Sequence, residues 1–153
     1  MQSVTFRDAQ PSEAGRIVEF QVRMARETEH LDLDAITCRR GVDAVFEDPT
    51  KGRYFVADRE GEVVGSLLVT YEWSDWRGLT VWWIQSVFVV SEMRRQGVYA
   101  GLYRHVRELV DQEPDVAGIR LYVDRRNTPA QEVYRRLGMN GEHYLVYEWM
   151  KDF

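Results

Sequence analysis

The chain has little that would staple, anchor or coordinate it. Cysteine occurs once in 153 residues, at Cys38, so no internal disulfide can form and a reducing cytoplasm suits it. With no basic neighbour in sequence, Cys38 reads as a small buried residue on a helix. The three histidines, His30, His105 and His143, lack metal-ligand spacing and partner cysteines, so no metal is expected. The longest apolar run, Val81 to Val90, contains Gln85 and Ser86 and is too short to span a bilayer, so no membrane partner is expected. Arg7 and Asp8 interrupt the N-terminal stretch before a secretory signal could form. Positive charge is in deficit: 20 Lys and Arg against 25 Asp and Glu leave a net charge of −5. That argues against a general nucleic-acid binder and makes any basic site local. Gly-x-Ser-x-Gly is missing, which leaves a serine-hydrolase elbow unsupported. No repeat and no Gly-, Pro- or Ser-rich linker divides the chain.

What remains is an ordinary globular profile, 44% hydrophobic and 29% charged. The length suits one domain, residues 1–153, that buries roughly two-thirds of its unfolded surface. Val4 to Arg7 reads as a strand. Ser12 is a cap for a helix with Ala14, Ile17, Phe20 and Met24 on one side. A second helix runs from about Leu33 to Phe46. Tyr54 to Ala57 and Val63 to Tyr71 form a hairpin around Asp58-Arg59-Glu60-Gly61. Val81 to Val90 is apolar on both faces, with Trp82, Ile84, Phe88 and Val90 on one side, and is therefore central. A helix burying Val98, Leu102, Val106 and Leu109 follows. Ile119 to Val123 is a short strand. Ala130, Val133, Tyr134 and Leu137 mark a last helix, closed by Gly138. Tyr144 to Met150 supplies a final strand. The order predicts a mixed sheet with helices on its faces.

The most informative stretch is Arg94-Arg95-Gln96-Gly97-Val98-Tyr99-Ala100. It lies between the apolar strand and the amphipathic helix. A glycine turn there aims backbone N–H groups and a positive helix end at one point, which suits an anion and above all a phosphate.

Arg94 and Gly97 in that stretch, together with Asn127, Ala130, Tyr134 and Gly138 further on, resemble the two sequence marks of the GNAT acetyltransferase superfamily. The likeness is close from Val81 to Met139 and looser elsewhere. One position departs: Tyr99 stands where the family has a small residue, with Ala100 after it. The resemblance implies an α/β (α+β mixed) fold. Its mostly antiparallel mixed sheet has six to seven strands, with four helices on its faces and a splay between strands four and five. It implies acetyl-CoA as cosubstrate, its diphosphate on the backbone of Arg95, Gln96, Gly97, Val98, Tyr99 and Ala100. Arg94 and Arg95 would add charge. The pantetheine arm would run along Val87, Phe88 and Val89 and meet Asn127. Tyr134 would be the general acid, because a phenol stays protonated at neutral pH and can protonate a departing thiolate. A backbone N–H of Val87 or Phe88 would meet the oxyanion. For the base the family's glutamate positions hold Gln85 and Tyr122. Asp124, Glu72, Glu29 or a water chain stand as alternatives.

On the acceptor side, Glu27 to Asp34 is acidic and suits a cationic amine. Glu29, Asp124, Trp73 and Trp76 are the candidate contacts, the indoles offering a face to a cation. The reading is an acetyl-CoA-dependent N-acetyltransferase acting on a small-molecule amine, or on a peptide amine, with a homodimer left open. A catalytically silent acetyl-CoA sensor or an interaction module is the alternative.

Overall fold

A computed structural model describes residues 3–151. The elements run β1 (Val4–Asp8), a 3-10 turn (Pro11–Glu13), α1 (Ala14–Glu29), α2 (Ala35–Glu47), β2 (Arg53–Arg59), β3 (Glu62–Ser74) and β4 (Leu79–Val89). A second 3-10 turn (Ser91–Met93), α3 (Val98–Gln112), β5 (Val116–Arg120) and α4 (Thr128–Arg136) follow. They fall into two compact units, Met1–Arg120 and Leu121–Phe153.

The first unit holds the sheet, ordered β1-β2-β3-β4-β5. Its first four strands are antiparallel and β5 runs parallel to β4. The expectation of six to seven strands is corrected to five among the described residues. Residues 144–150, read as a strand from their alternation, take no regular structure. The fifth strand lies at Val116–Arg120, three residues before the predicted Ile119. After α3 the chain turns back at once: the Val116 N–H donates to the Glu113 carbonyl at 3.2 Å.

Local chemistry sets the helix starts. Ser12 does not cap α1, whose N-cap is Glu13 with no side-chain cap bond; the Glu13 carboxylate instead accepts from the Gln10 N–H at 2.8 Å, at the start of the 3-10 turn. Arg7 ties this start to the sheet through Glu13 at 2.7 Å and Asp58 at 3.0 Å. Asp34 caps α2, accepting from the Ile36 N–H at 3.2 Å and the Thr37 hydroxyl at 2.6 Å. Such a cap contributes about 1 kcal/mol.

The core is laid on both sides of the sheet. Ala14, Ile17 and Val18 of α1 and Val42 of α2 pack with Tyr54 on one face. Cys38, half-buried, packs against the same cluster. On the other face α3 buries Val98, Leu102, Tyr103, Val106 and Val110. Leu109, expected in the core, is only half-buried, because the fourth turn presents Val110 instead. Phe55 and His105 meet edge to face at 5.6 Å on this side. Each fully buried aliphatic side chain contributes roughly 1.5–3 kcal/mol. α3 approaches the sheet closely at Gly101, where a Cβ would stand 2.1 Å from the Phe6 ring.

One irregularity changes the reading of β4. Leu68 pairs with Gln85, but Ser66 pairs with Phe88, so Ser86 and Val87 together oppose Leu67. This is a β-bulge, and Ser86 takes the left-handed conformation it needs, at φ 53°. The extra residue re-phases the strand. Phe88 therefore faces α1, stacking on Phe20 at 4.9 Å, rather than sharing a side with Ile84 as strict alternation predicts.

Candidate active site

β4 has two neighbours for half its length and one for the rest. β5 pairs with Thr80, Val81, Trp82 and Trp83, and the pairing stops there. From Ile84 to Val89 the strand has β3 on one side and no strand on the other among the described residues. The pairing stops because β5 itself ends at Arg120, the partner of Trp83. The bulge at Ser86 lies in this one-sided half. A bulge leaves its extra residue out of the ladder and bends the strand locally.

The glycine turn closes the same end. Arg95 and Gly97 both adopt left-handed backbone, at φ 63° and 80°. Gly97 is the N-cap of α3, and no side chain caps the helix. The first intrahelical bond runs from the Gly101 N–H to the Gly97 carbonyl at 2.9 Å. A helix start leaves its first N–H groups without intrahelical acceptors, here those of Val98, Tyr99 and Ala100. They lie at the positive end of the helix. A Cβ built on Gly97 meets nothing within 4 Å, so space is open in front of the turn. Arg95, Gln96 and Gly97 are exposed, Tyr99 and Ala100 half-buried. Donors, dipole and open space together fit a diphosphate.

Arg94 has a different task. Its Nε donates to the Val89 carbonyl at 2.9 Å and its Nη2 pairs with Glu27 at 2.8 Å. Its guanidinium also lies over Phe88, 5.3 Å from the ring centre. Arg94 thus joins the end of β4, the glycine turn and the last turn of α1. The Gln96 amide donates to the Glu92 carbonyl at 2.8 Å and steadies the turn from the other side. Glu27 brings the acidic end of α1, with Glu29 two residues on, to this end of the sheet.

The indole candidates lie elsewhere. Trp73 pairs with Thr80 at the start of β4, and Trp76 sits in the β3–β4 turn. They are 67% and 93% exposed. From Thr80 to Ser86 the strand covers roughly 20 Å at about 3.3 Å per residue. Trp73 and Trp76 are therefore remote from the bulge and do not line one pocket with it.

Glu72 and Gln85, both weighed from the sequence for the base, belong to one polar group on the α1 side of the sheet. Glu72 accepts from the Trp83 indole N–H at 2.7 Å and from Arg120 at 3.0 Å. Gln85 donates its amide to the Thr70 hydroxyl. Trp83 first, then Arg120, holds the Glu72 carboxyl below the usual carboxylate range. That weakens Glu72 as a base. The missed signal was the polar pair Gln85-Ser86 inside an apolar strand. It marked both the bulge and the polar stripe.

In the second unit, Asn127 caps α4, its side-chain oxygen accepting from the Ala130 N–H at 3.1 Å. Ala130, Tyr134 and Leu137 are half-buried along one side of that helix, and Gly138 closes it at φ 89°. Asp124 is chelated by Arg126, whose Nη2 lies at 2.7 Å and whose backbone N–H donates at 2.8 Å. Those contacts hold its carboxyl well below the usual range, so Asp124 too is a poor base. Among the described residues no group of His, Cys, Asp and Glu is arranged to hold a metal ion, and no helix is long and apolar enough to cross a membrane.

Comparison with known proteins agrees with this geometry. The family model described as the acetyltransferase (GNAT) family matches residues 16–139. The structure resembles that of a possible acetyltransferase from Clostridium difficile 630, with a TM-score of 0.90 and 35% identity over 98% of this chain and 99% of that one. It shares its fold with a ribosomal-protein-alanine N-acetyltransferase from Brucella melitensis biovar Abortus 2308, at TM-score 0.78 and 12% identity over 97% and 100% of the two chains. An aminoglycoside acetyltransferase from an uncultured soil metagenomic sample shares it too, at TM-score 0.75 and 14% identity over 98% and 97%. No curated protein matches the sequence.

Proposed function

The chain belongs to the acetyltransferase (GNAT) family, and we propose that it is a single N-acetyltransferase domain moving an acetyl group from acetyl-CoA to a primary amine. The observation that carries this reading is the uncapped start of α3 at Gly97, set at the end of the one-sided half of β4. The N–H groups of Val98, Tyr99 and Ala100 would hold the diphosphate, with Arg95 adding charge. Main-chain groups of Val87, Phe88 and Val89 would take the pantetheine arm, and Asn127 would contact it with its amide.

In the step itself the amine nitrogen attacks the thioester carbonyl. The new C–N bond forms, the carbonyl oxygen takes negative charge beside a β4 N–H, and the C–S bond then breaks. Tyr134 gives its phenolic proton to the leaving sulfur and is reprotonated from water. The ammonium proton leaves through water, since Gln85 is no base and Glu72 and Asp124 are held ionised by their partners. General acid catalysis of this kind is typically worth about a hundredfold to ten-thousandfold.

The acceptor we favour is a small-molecule amine. The acidic residues at the end of α1, Glu27 and Glu29, would attract a cation. A fold shared with both an aminoglycoside acetyltransferase and a ribosomal-protein-alanine N-acetyltransferase keeps a peptide amine as the second acceptor. The test has two parts. Acetyl-CoA should raise the melting temperature by binding the folded state, and thiol release over a panel of amines should identify turnover. Tyr134→Phe should lower kcat about a hundredfold or more with acetyl-CoA affinity unchanged; unchanged kcat removes Tyr134 from the role. A second reading, an acetyl-CoA sensor without turnover, is favoured by Gln85 standing where a carboxylate base would serve. Stabilisation by acetyl-CoA without thiol release for any amine would select it.

A further inference from the structure

The bulge in β4 has a neutral polar lining on its α1 side. Gln85 is the last residue before the bulge and pairs with Leu68, which packs with Ala14, Ile17 and Val18 of α1. Paired residues share a side of a sheet, so Gln85 lies on the α1 side. Its Nε2 donates to the Thr70 hydroxyl, two residues along β3 from Leu68 and therefore on the same side. That bond fixes the amide. Its donor is committed to β3, and the group it offers beside Ser86 and Val87 is its carbonyl Oε1. α1 adds a second neutral amide, Gln21, four residues after Ile17 on the same helix face. The Gln21 Nε2 is buried without a hydrogen-bond partner among the described residues.

The charged groups packed around this part of β4 are engaged. From β3, Glu72 is held ionised by the Trp83 indole and by Arg120 of β5. From α1, Glu19 pairs with Arg16 at 3.0 Å and Glu27 with Arg94 at 2.8 Å, while Arg23 lies over the Phe88 ring. α3 lies across the sheet, where His105 packs on Phe55. Glu29 ends α1 and His30 follows it. An amide carbonyl accepts a hydrogen bond but is no base at neutral pH.

We infer that Gln85 orients the acceptor nitrogen without deprotonating it, so the substrate reacts as its free base and belongs to the weakly basic primary amines, of the α-amino kind, rather than the alkylamines. The inference rests on the acetyl-transfer reading. One amine N–H donates to Gln85 Oε1 while the lone pair faces the thioester carbonyl. The C–N bond forms, the C–S bond breaks as Tyr134 protonates the sulfur, and the surplus N–H proton passes to water. At neutral pH an α-amino group, with pKa about 7.7–8.0, is roughly a tenth free base. A lysine-type amine, near about 10.4, is below about a thousandth. The acidic end of α1 attracts either cation; the difference arises at the reacting nitrogen.

The test is kcat/KM for thiol release against pH, with L-alaninamide and with Nα-acetyl-lysine amide as probes. The profile should rise about tenfold per pH unit to a break at the pKa of the amine supplied, about 8 for alaninamide, and should still be rising at about pH 9.5 for the lysine probe. A break common to both probes overturns the inference and leaves acetyl transfer standing. Near about 6.5 it would point to His30 as base, and near about 4.3 to Glu29. Release from neither probe, with acetyl-CoA still raising the melting temperature, overturns the transfer reading and the inference with it. Gln85→Glu keeps the side-chain shape and can still accept from Thr70. It should bring both probes to one shared break below either amine's pKa and raise kcat/KM for the lysine probe at least about tenfold at neutral pH. Gln85→Leu should lower kcat/KM for alaninamide about tenfold without moving the break. Profiles identical to the wild type in both variants would place Gln85 away from the nitrogen and overturn the assignment.

Discussion

The two halves of β4 are one continuous strand with opposite duties. Thr80 to Trp83 lies between β3 and β5, with Val81 and Trp82 buried, and its backbone is committed to ladders on both sides. Ile84 to Val89 has a ladder on one side, a bulge in its middle and a glycine turn just beyond its end. The first half can give only packing, since its polar groups are committed. The second half keeps backbone groups for a ligand and accepts local strain to aim them. On the proposed reading, the cofactor site arises here from the withdrawal of a neighbour rather than from special side chains.

The comparison can be broken most severely in the first half. Trp82→Ala should cost about 3–5 kcal/mol in urea unfolding, as expected for a large core side chain, while acetyl-CoA still raises the melting temperature of the folded fraction. In the second half the balance should reverse. Gly97→Val and Ser86→Val each place a branched side chain at positive φ, costing about 1–2 kcal/mol, and should abolish the acetyl-CoA-dependent stabilisation. Ser86→Gly should spare both. Retained ligand stabilisation in both Val variants would show that the strained backbone is not where the cosubstrate binds.

Smaller effects sharpen the boundary between the halves. Glu72 sits beside Trp83, the last residue paired on both sides, and its carboxyl titrates below its ordinary value of 4.5 in the folded state. A depressed folded value gives stability that is full above the unfolded value and fades as pH falls through the folded one. The wild type should therefore melt above Glu72→Gln at neutral pH. The gap should close as pH falls below that ordinary value and through the lower folded one. A gap that persists in acid would mean the carboxylate charge is not what matters. Glu27→Gln should cost under about 1 kcal/mol, because the Arg94–Glu27 pair is solvent-exposed on both sides. It should also loosen acetyl-CoA a few-fold by freeing Arg94 from α1. An unchanged dissociation constant would confine the pair to surface decoration.

Much of this was legible from the chain. The strand–turn–helix at Gly97 was marked by composition alone, since one glycine between an apolar strand and an amphipathic helix has few other settings. α3 was placed by its repeat, although the last buried position moved from Leu109 to Val110. The faces of β4 were not legible past Gln85. Alternation assumes two residues per repeat, and a single extra residue inverts everything downstream, as Phe88 shows. Side-chain partnerships between distant positions were hidden as well. Nothing in sequence joins Arg94 to Glu27 or Arg120 to Glu72, because tertiary contact makes those pairs. The stretch at 144–150 has a strand's composition but takes no regular structure, and composition reports preference rather than pairing.

The near-contact between Gly101 and Phe6 has a consequence for how the anion cup could drift over evolution. α3 rests on the β1 ring through a position that tolerates no substituent. A methyl group there would act as a shim, lifting the first turn of the helix off the sheet and tilting its amides away from their target. The affinity of the proposed cup would thus be tuned by an atom that is missing one helical turn behind it.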